Sequence, residues 1–206
     1  MKRTKLLLLA GVAVLMTAGV GYRMPQDPTV EGAQTVAAVG DSITAGYLAP
    51  VSWPSLMTTW DTGTITNLGH PGWTTATMAE HFGDALATGA QVITIMGGTN
   101  DCGYGLPVDQ AVANIGSMAT AAEQAGRRPV LIGPLPRNDG DDPCLLTLRA
   151  AESAYASANG IVFVDPWNSF SGPDAFQTLY VDGTHPNAQG AFLLASLVAD
   201  QLGWVG

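Results

Sequence analysis

Residues 35–44 read Thr35-Val36-Ala37-Ala38-Val39-Gly40-Asp41-Ser42-Ile43-Thr44. After Thr35 the run is apolar at every position, with no alternation, and then breaks at once into a glycine, an acid and two hydroxyl residues. A run without alternation suits a strand buried on both faces, and the break marks a turn. Working outward, the same grammar recurs at 64–68, Val92–Met96, 130–132 and 161–164. Each run ends in a Gly, Asp, Asn or Pro cluster. Longer amphipathic stretches follow at 75–87, 108–125, 145–158 and 187–202. Strands alternating with helices form right-handed βαβ units, and these build a parallel sheet covered on both sides. The expectation is therefore an α/β protein, a three-layer α/β/α sandwich on about five parallel strands. In such a sheet, functional groups gather at the carboxyl ends of the strands.

The residues at those ends have a chemistry in common. The first strand ends at Ser42, the second leads into Asn67-Leu68-Gly69-His70-Pro71-Gly72, and the third ends in Gly97-Gly98-Thr99-Asn100-Asp101. Just before the last helical stretch stands Asp182-Gly183-Thr184-His185-Pro186. Acyl transfer to a serine needs a hydroxyl, a base in hydrogen-bond reach, a group that orients the base, and donors for the developing oxyanion. Ser42 is the candidate nucleophile. His185 is the candidate base, because imidazoles as a class titrate near neutrality and can return a proton to the leaving group. Asp182, three residues earlier, can reach the far ring nitrogen, with Gly183 permitting the tight turn. Pro186 is expected at the first position of the closing helix. The candidate oxyanion donors are the backbone N–H groups of Ser42 and Gly72 and the side-chain amide of Asn100. Gly72 is chosen over Gly69 by its spacing from Asn67. Asp41, Asp101 and Asn67 are read as loop-bracing residues.

Gly40-Asp41-Ser42 with Ala45-Gly46-Tyr47 and Trp53-Pro54 resembles the first block of the SGNH/GDSL hydrolases, especially the small periplasmic thioesterase/lysophospholipase branch. Asn67 to Gly72 is similar to the second block, Gly98 to Asp101 to the third, and Asp182 to His185 to the fifth. The similarity runs from about residue 35 to the C-terminus, in the family's order. It implies a flavodoxin-like sandwich with strand order 2-1-3-4-5, Ser42 as nucleophile, Asp182 and His185 completing a triad, and Gly72 and Asn100 as oxyanion donors. One departure is Ile43, where the family's name-giving motif has leucine. The implied activity is cleavage of carboxylic esters or thioesters. Carbohydrate O-acetyl esterase or acetyltransferase chemistry uses the same residues. A non-catalytic carbohydrate-binding protein of this fold would be expected to have lost at least one of them. The sequence argues against an α/β-hydrolase lipase, because G-x-S-x-G would need a glycine where Thr44 stands.

Composition bounds what else the chain does. With 206 residues, 47% hydrophobic and only 12% charged, it is one globular domain rather than a disordered segment. Lys2, Arg3 and Lys5 precede an uncharged stretch that reaches residue 21, the pattern of a secretory signal. Residues 1–21 are read as a signal peptide or N-terminal anchor, 22–33 as a leader, and 34–206 as the hydrolase domain. The expected location is secreted or extracytoplasmic, with membrane contact only if the segment is uncleaved. Removing those three cations takes the net charge from −9 to −12. Such a surface repels phosphate backbones, so nucleic acid is not an expected partner. The expected partner is a small-molecule or glycan acyl ester, and the expected state is a monomer. His70 and His81 have no companions at zinc-ligand spacing, so neither metal nor cofactor is expected. In an exported chain, Cys102 and Cys144 are expected to be bridged across neighbouring strand ends, holding the Asn100 loop.

Overall fold

The computed structural model describes residues 34–58, 63–138 and 143–204. The expected signal segment 1–21 and the whole leader 22–33 lie outside the described residues. The chain alternates strands and helices in the order β1 (Gln34–Gly40), α1 (Ser42–Ala45), α2 (Trp53–Met57), β2 (Gly63–Gly69), α3 (Thr75–Glu80), α4 (Gly83–Ala87) and β3 (Val92–Met96). It continues through α5 (Thr99–Gly103), α6 (Val108–Gln124), β4 (Arg128–Ile132), α7 (Pro143–Asn159), β5 (Val162–Val164), α8 (Trp167–Phe170), α9 (Ala175–Thr178) and α10 (Ala188–Leu202). All pairings within the five-stranded sheet are parallel, and the strand order is 2-1-3-4-5.

The unalternating apolar runs have their reason in the two faces of this sheet. Val36 and Ala38 of β1 pack with Val92, Met96, Val130 and Ile132 against Trp53 and Met57 of α2 and Leu194 and Val198 of α10. On the opposite face Ala37 and Val39 pack with Ile93, Ile95 and Leu131 against Met78 of α3, Phe82, and Ile115 and Met118 of α6. Full burial of one such large side chain contributes roughly 1.5–3 kcal/mol, so both layers are anchored by the central strands. β2 lies at the sheet edge, and none of its residues is fully buried.

Two expectations about local structure are corrected. The stretch 75–87 is two short helices, because α3 ends at Glu80, with His81 as its C-cap, and α4 starts again at Gly83, a poor helix former. The break still lets Met78, Phe82 and Ala85 bury on one side. Pro186 is not the first residue of the closing helix. Asn187 caps that helix, its side chain accepting from the N–H groups of Gln189 and Gly190. Pro186 instead forms an antiparallel bridge with Tyr180.

Register sets the position of the site. Gly40 pairs with Gly69 on one side and Met96 on the other, so β1, β2 and β3 end level. The three sequence blocks that follow them therefore emerge side by side.

Candidate active site

Ser42 opens α1 directly after the central strand. Asp41 caps that helix, its Oδ1 accepting from the Ile43 N–H at 2.9 Å. Gly40 must lack a side chain, because a Cβ there would run into the Thr44 hydroxyl. These constraints hold Ser42 at the sheet edge with only 8% of its surface exposed. His185 arrives from the far end of the sequence. Its Nε2 lies 3.0 Å from Ser42 Oγ, and its Nδ1 lies 2.8 Å from Asp182 Oδ2. The other carboxylate oxygen of Asp182 accepts from the backbone N–H groups of Thr184 and His185. Closing this loop needs Gly183 at φ +81°, where a Cβ would strike Asn138. Asn138 in turn donates its N–H to the Gly183 carbonyl at 2.8 Å.

The second block is fastened to the first. The His70 N–H donates to the Gly40 carbonyl, and the Asn67 amide donates to the Thr44 carbonyl and to Ser52 Oγ. Gly69 sits so close to Ala45 that a Cβ would overlap its backbone nitrogen. Gly72 lies at φ +82° with open space where a Cβ would point. The third block joins the second through Asn100 Nδ2, which donates to the Trp73 carbonyl at 2.8 Å. Asp101 accepts from both the N–H and the hydroxyl of Thr75. The backbone N–H groups of Ser42 and Gly72 meet no acceptor among the described residues.

The family model of GDSL-like lipases and acylhydrolases matches residues 38–191, which contain all of these blocks. The chain belongs to the GDSL-like lipase/acylhydrolase family. It is a hydrolase of the SGNH esterase type. Among solved structures it is similar to a G-D-S-L family lipolytic protein from Desulfitobacterium hafniense, with 25% identity over 82% of this chain and 99% of that one, at a TM-score of 0.76. In fold it is also similar to the lipase/acylhydrolase from Enterococcus faecalis, with 22% identity over 82% of this chain and 95% of that one, at a TM-score of 0.71. A catalytic mutant of an acetylxylan esterase from Geobacillus stearothermophilus has the same fold, with 18% identity over 85% of this chain and 97% of that one, at a TM-score of 0.75. No curated protein matches the chain significantly.

The electrostatics of this GDSL site are strongly acidic. Burial alone would push the Asp182 carboxyl up. The backbone N–H and ring of His185 and the N–H of Thr184 outweigh it and hold Asp182 down at about 2. The stabilisation this gives is present above the ordinary carboxylate value and is lost as pH falls toward 2. Asp41 goes the other way. Burial pushes it up to about 6; the Ile43 N–H and His185 pull it down, and Asp101 adds to the rise. Glu152 of α7 is also fully buried. Burial and then the charge of Asp101 push its carboxyl well up, and neither of its oxygens has a hydrogen-bond partner among the described residues.

The disulfide expectation corresponds to a bond between Cys102 of α5 and Cys144 of α7, with Cα atoms 5.6 Å apart. Cys144 lies in the first turn of α7 rather than in a loop before it, because the helix already starts at Pro143. His70 and His81 are exposed and sandwich the half-buried Trp73, with ring centroids 3.9 and 4.8 Å from the indole. Among the described residues no group of three or more His, Cys, Asp or Glu is placed to hold a metal ion. The stack around Trp73 and the buried Glu152 were invisible to sequence reasoning. Glu152 lies in an ordinary amphipathic pattern, and nothing local distinguishes it from a solvated glutamate.

Proposed function

We propose that the chain is an exported esterase that cleaves carboxylic esters, thioesters included, through an acyl-enzyme on Ser42. The observation that supports this reading best is the continuous hydrogen-bonded line from Ser42 Oγ through His185 to Asp182. His185 Nε2 takes the Ser42 proton as Oγ attacks the carbonyl carbon. The oxyanion that forms is received by the N–H groups of Ser42 and Gly72 and by the hydrogen on Asn100 Nδ2 that Trp73 leaves unused. Nε2–H then protonates the leaving oxygen or sulfur, and the acyl group stays on Oγ. Water, deprotonated by the same nitrogen, releases the acid and restores the serine. Asp182, with its carboxyl held low, stays ionised throughout and fixes the ring so that Nδ1 carries a proton.

The test is a series of p-nitrophenyl esters from acetate to palmitate, with Ser42→Ala and His185→Ala beside the wild type. Either substitution is expected to lower kcat/KM by about 10³-fold or more. Full activity in Ser42→Ala would remove the nucleophile assignment. An inactive wild type on all simple esters would move the reading to acetylated sugars, which the same five residues can serve.

A further inference from the structure

Among the described residues, the large apolar side chains that stay exposed include Tyr47, Leu48, Tyr104, Val181 and Phe192. Three of them belong to the segments that carry the serine and the acid–base pair. Tyr47 follows α1 directly, its N–H donating to the Ser42 carbonyl at 2.9 Å. Its ring stands edge-on to His185, with centroids 5.1 Å apart. Val181 precedes Asp182 and donates its N–H to the His185 carbonyl. Leu48 holds φ +62°, the one positive φ outside glycine among the described residues. A bulky side chain kept in that left-handed conformation is strained, and here it is left half exposed. Backbone strain of this kind clusters at active sites and ligand clamps.

The mechanism says what that function is. After accepting the serine proton, His185 Nε2 must deliver it to the leaving oxygen, so that oxygen lies within hydrogen-bond reach of Nε2. The group carried by the leaving oxygen then projects past the imidazole, toward the ring that already touches it. We propose that Tyr47 and Leu48, with Val181, form the binding surface for the alcohol half of the ester and select an apolar alkyl or aryl alcohol. This rests on the acyl-enzyme reading above. Leu48 and Val181 offer no hydrogen-bonding group, whereas a site that selects a sugar alcohol must pair its hydroxyls. About half of each of the three side chains is open to solvent, so an apolar alcohol would cover surface that the fold leaves wet.

Acetate esters of different alcohols form one acetyl-enzyme, so kcat/KM compared across them reads the alcohol alone. The experiment measures benzyl acetate and ethyl acetate hydrolysis by pH-stat for wild type, Tyr47→Ala and Leu48→Gly. The expected result is a benzyl-over-ethyl preference in wild type that falls about tenfold in each variant, carried by KM. Leu48→Gly fits the left-handed backbone without strain, so a folding defect is not expected to mask its effect. An unchanged preference in both variants would overturn the proposal. So would equal loss on both esters together with lost labelling of Ser42 by methanesulfonyl fluoride, which would make Tyr47 a positioning residue for His185. A methyl O-acetyl-xyloside cleaved with higher kcat/KM than benzyl acetate would overturn it in favour of a sugar. Full activity of Ser42→Ala on both esters would instead sink the underlying mechanism, a result distinct from all three.

Discussion

Asp41 and Asp182 both interact electrostatically with His185, yet their environments drive them in opposite directions. Asp182 keeps two backbone N–H donors and the His185 ring, whereas Asp41 is sealed in with one donor and an acidic neighbour. Because Asp41 titrates near 6 when folded against an ordinary value of 3.8, the folded state holds this proton more tightly than the unfolded chain. Stability from Asp41 is therefore greatest at low pH, declines between about pH 4 and 6, and stays lower above that window. Asp41→Asn keeps an oxygen for the Ile43 N–H and removes the titration. Urea unfolding should find the variant more stable than wild type at pH 7.5 by up to about 3 kcal/mol, with the difference shrinking toward pH 4. An equal difference at both pH values would show that Asp41 is not the titrating group. At this scale Ser42, His185 and Asp182 were legible because their chemistry is stereotyped. The choice between Gly69 and Gly72 rested on spacing alone. The structure separates the two by what surrounds them, since Gly69 is packed against Ala45 while Gly72 faces open space.

Elements position these residues through a few tethers. α5, which presents Asn100, has only five residues and cannot be stable alone. It is held by Asp101 on Thr75, by Gly98 fitting against Leu148, and by the disulfide to α7. The bridge spans 42 residues, for which the chain-entropy model gives about 4 kcal/mol. Cys102→Ser with Cys144→Ser should lower Tm by roughly 10 °C in calorimetry, and thiol titration of the unreduced, denatured wild type should find no free thiol. Two thiols per chain, or an unchanged Tm in the double variant, would remove the bridge from this account. The long helices and buried strands were readable from periodicity, whereas the split of 75–87 was not. Phe82 and Ala85 mark one apolar face whether the helix is continuous or broken, and only packing against β1 and β3 decides.

For the whole molecule, the sheet order brings residues 42, 72, 100 and 182–185 to one edge from across the sequence. The charged N-terminus followed by an apolar stretch leads us to propose export, with cleavage near residues 17–21 and a mature net charge of −12. Intact mass of the protein recovered outside the producing cell should correspond to a chain starting close to residue 22; a mass including Met1 would favour an anchor. By itself the sequence determined the α/β class, the strands and the family, and it supplied the candidate reactive residues. Hydrophobic periodicity and catalytic motifs are local, and survive without knowledge of distant neighbours. Only the tertiary structure decided which carboxyls are buried, how Trp73 lies between two histidines, where Pro186 sits, and that Tyr47 meets His185. Those facts depend on contacts between residues far apart in sequence, where packing and desolvation, not local propensity, set the outcome.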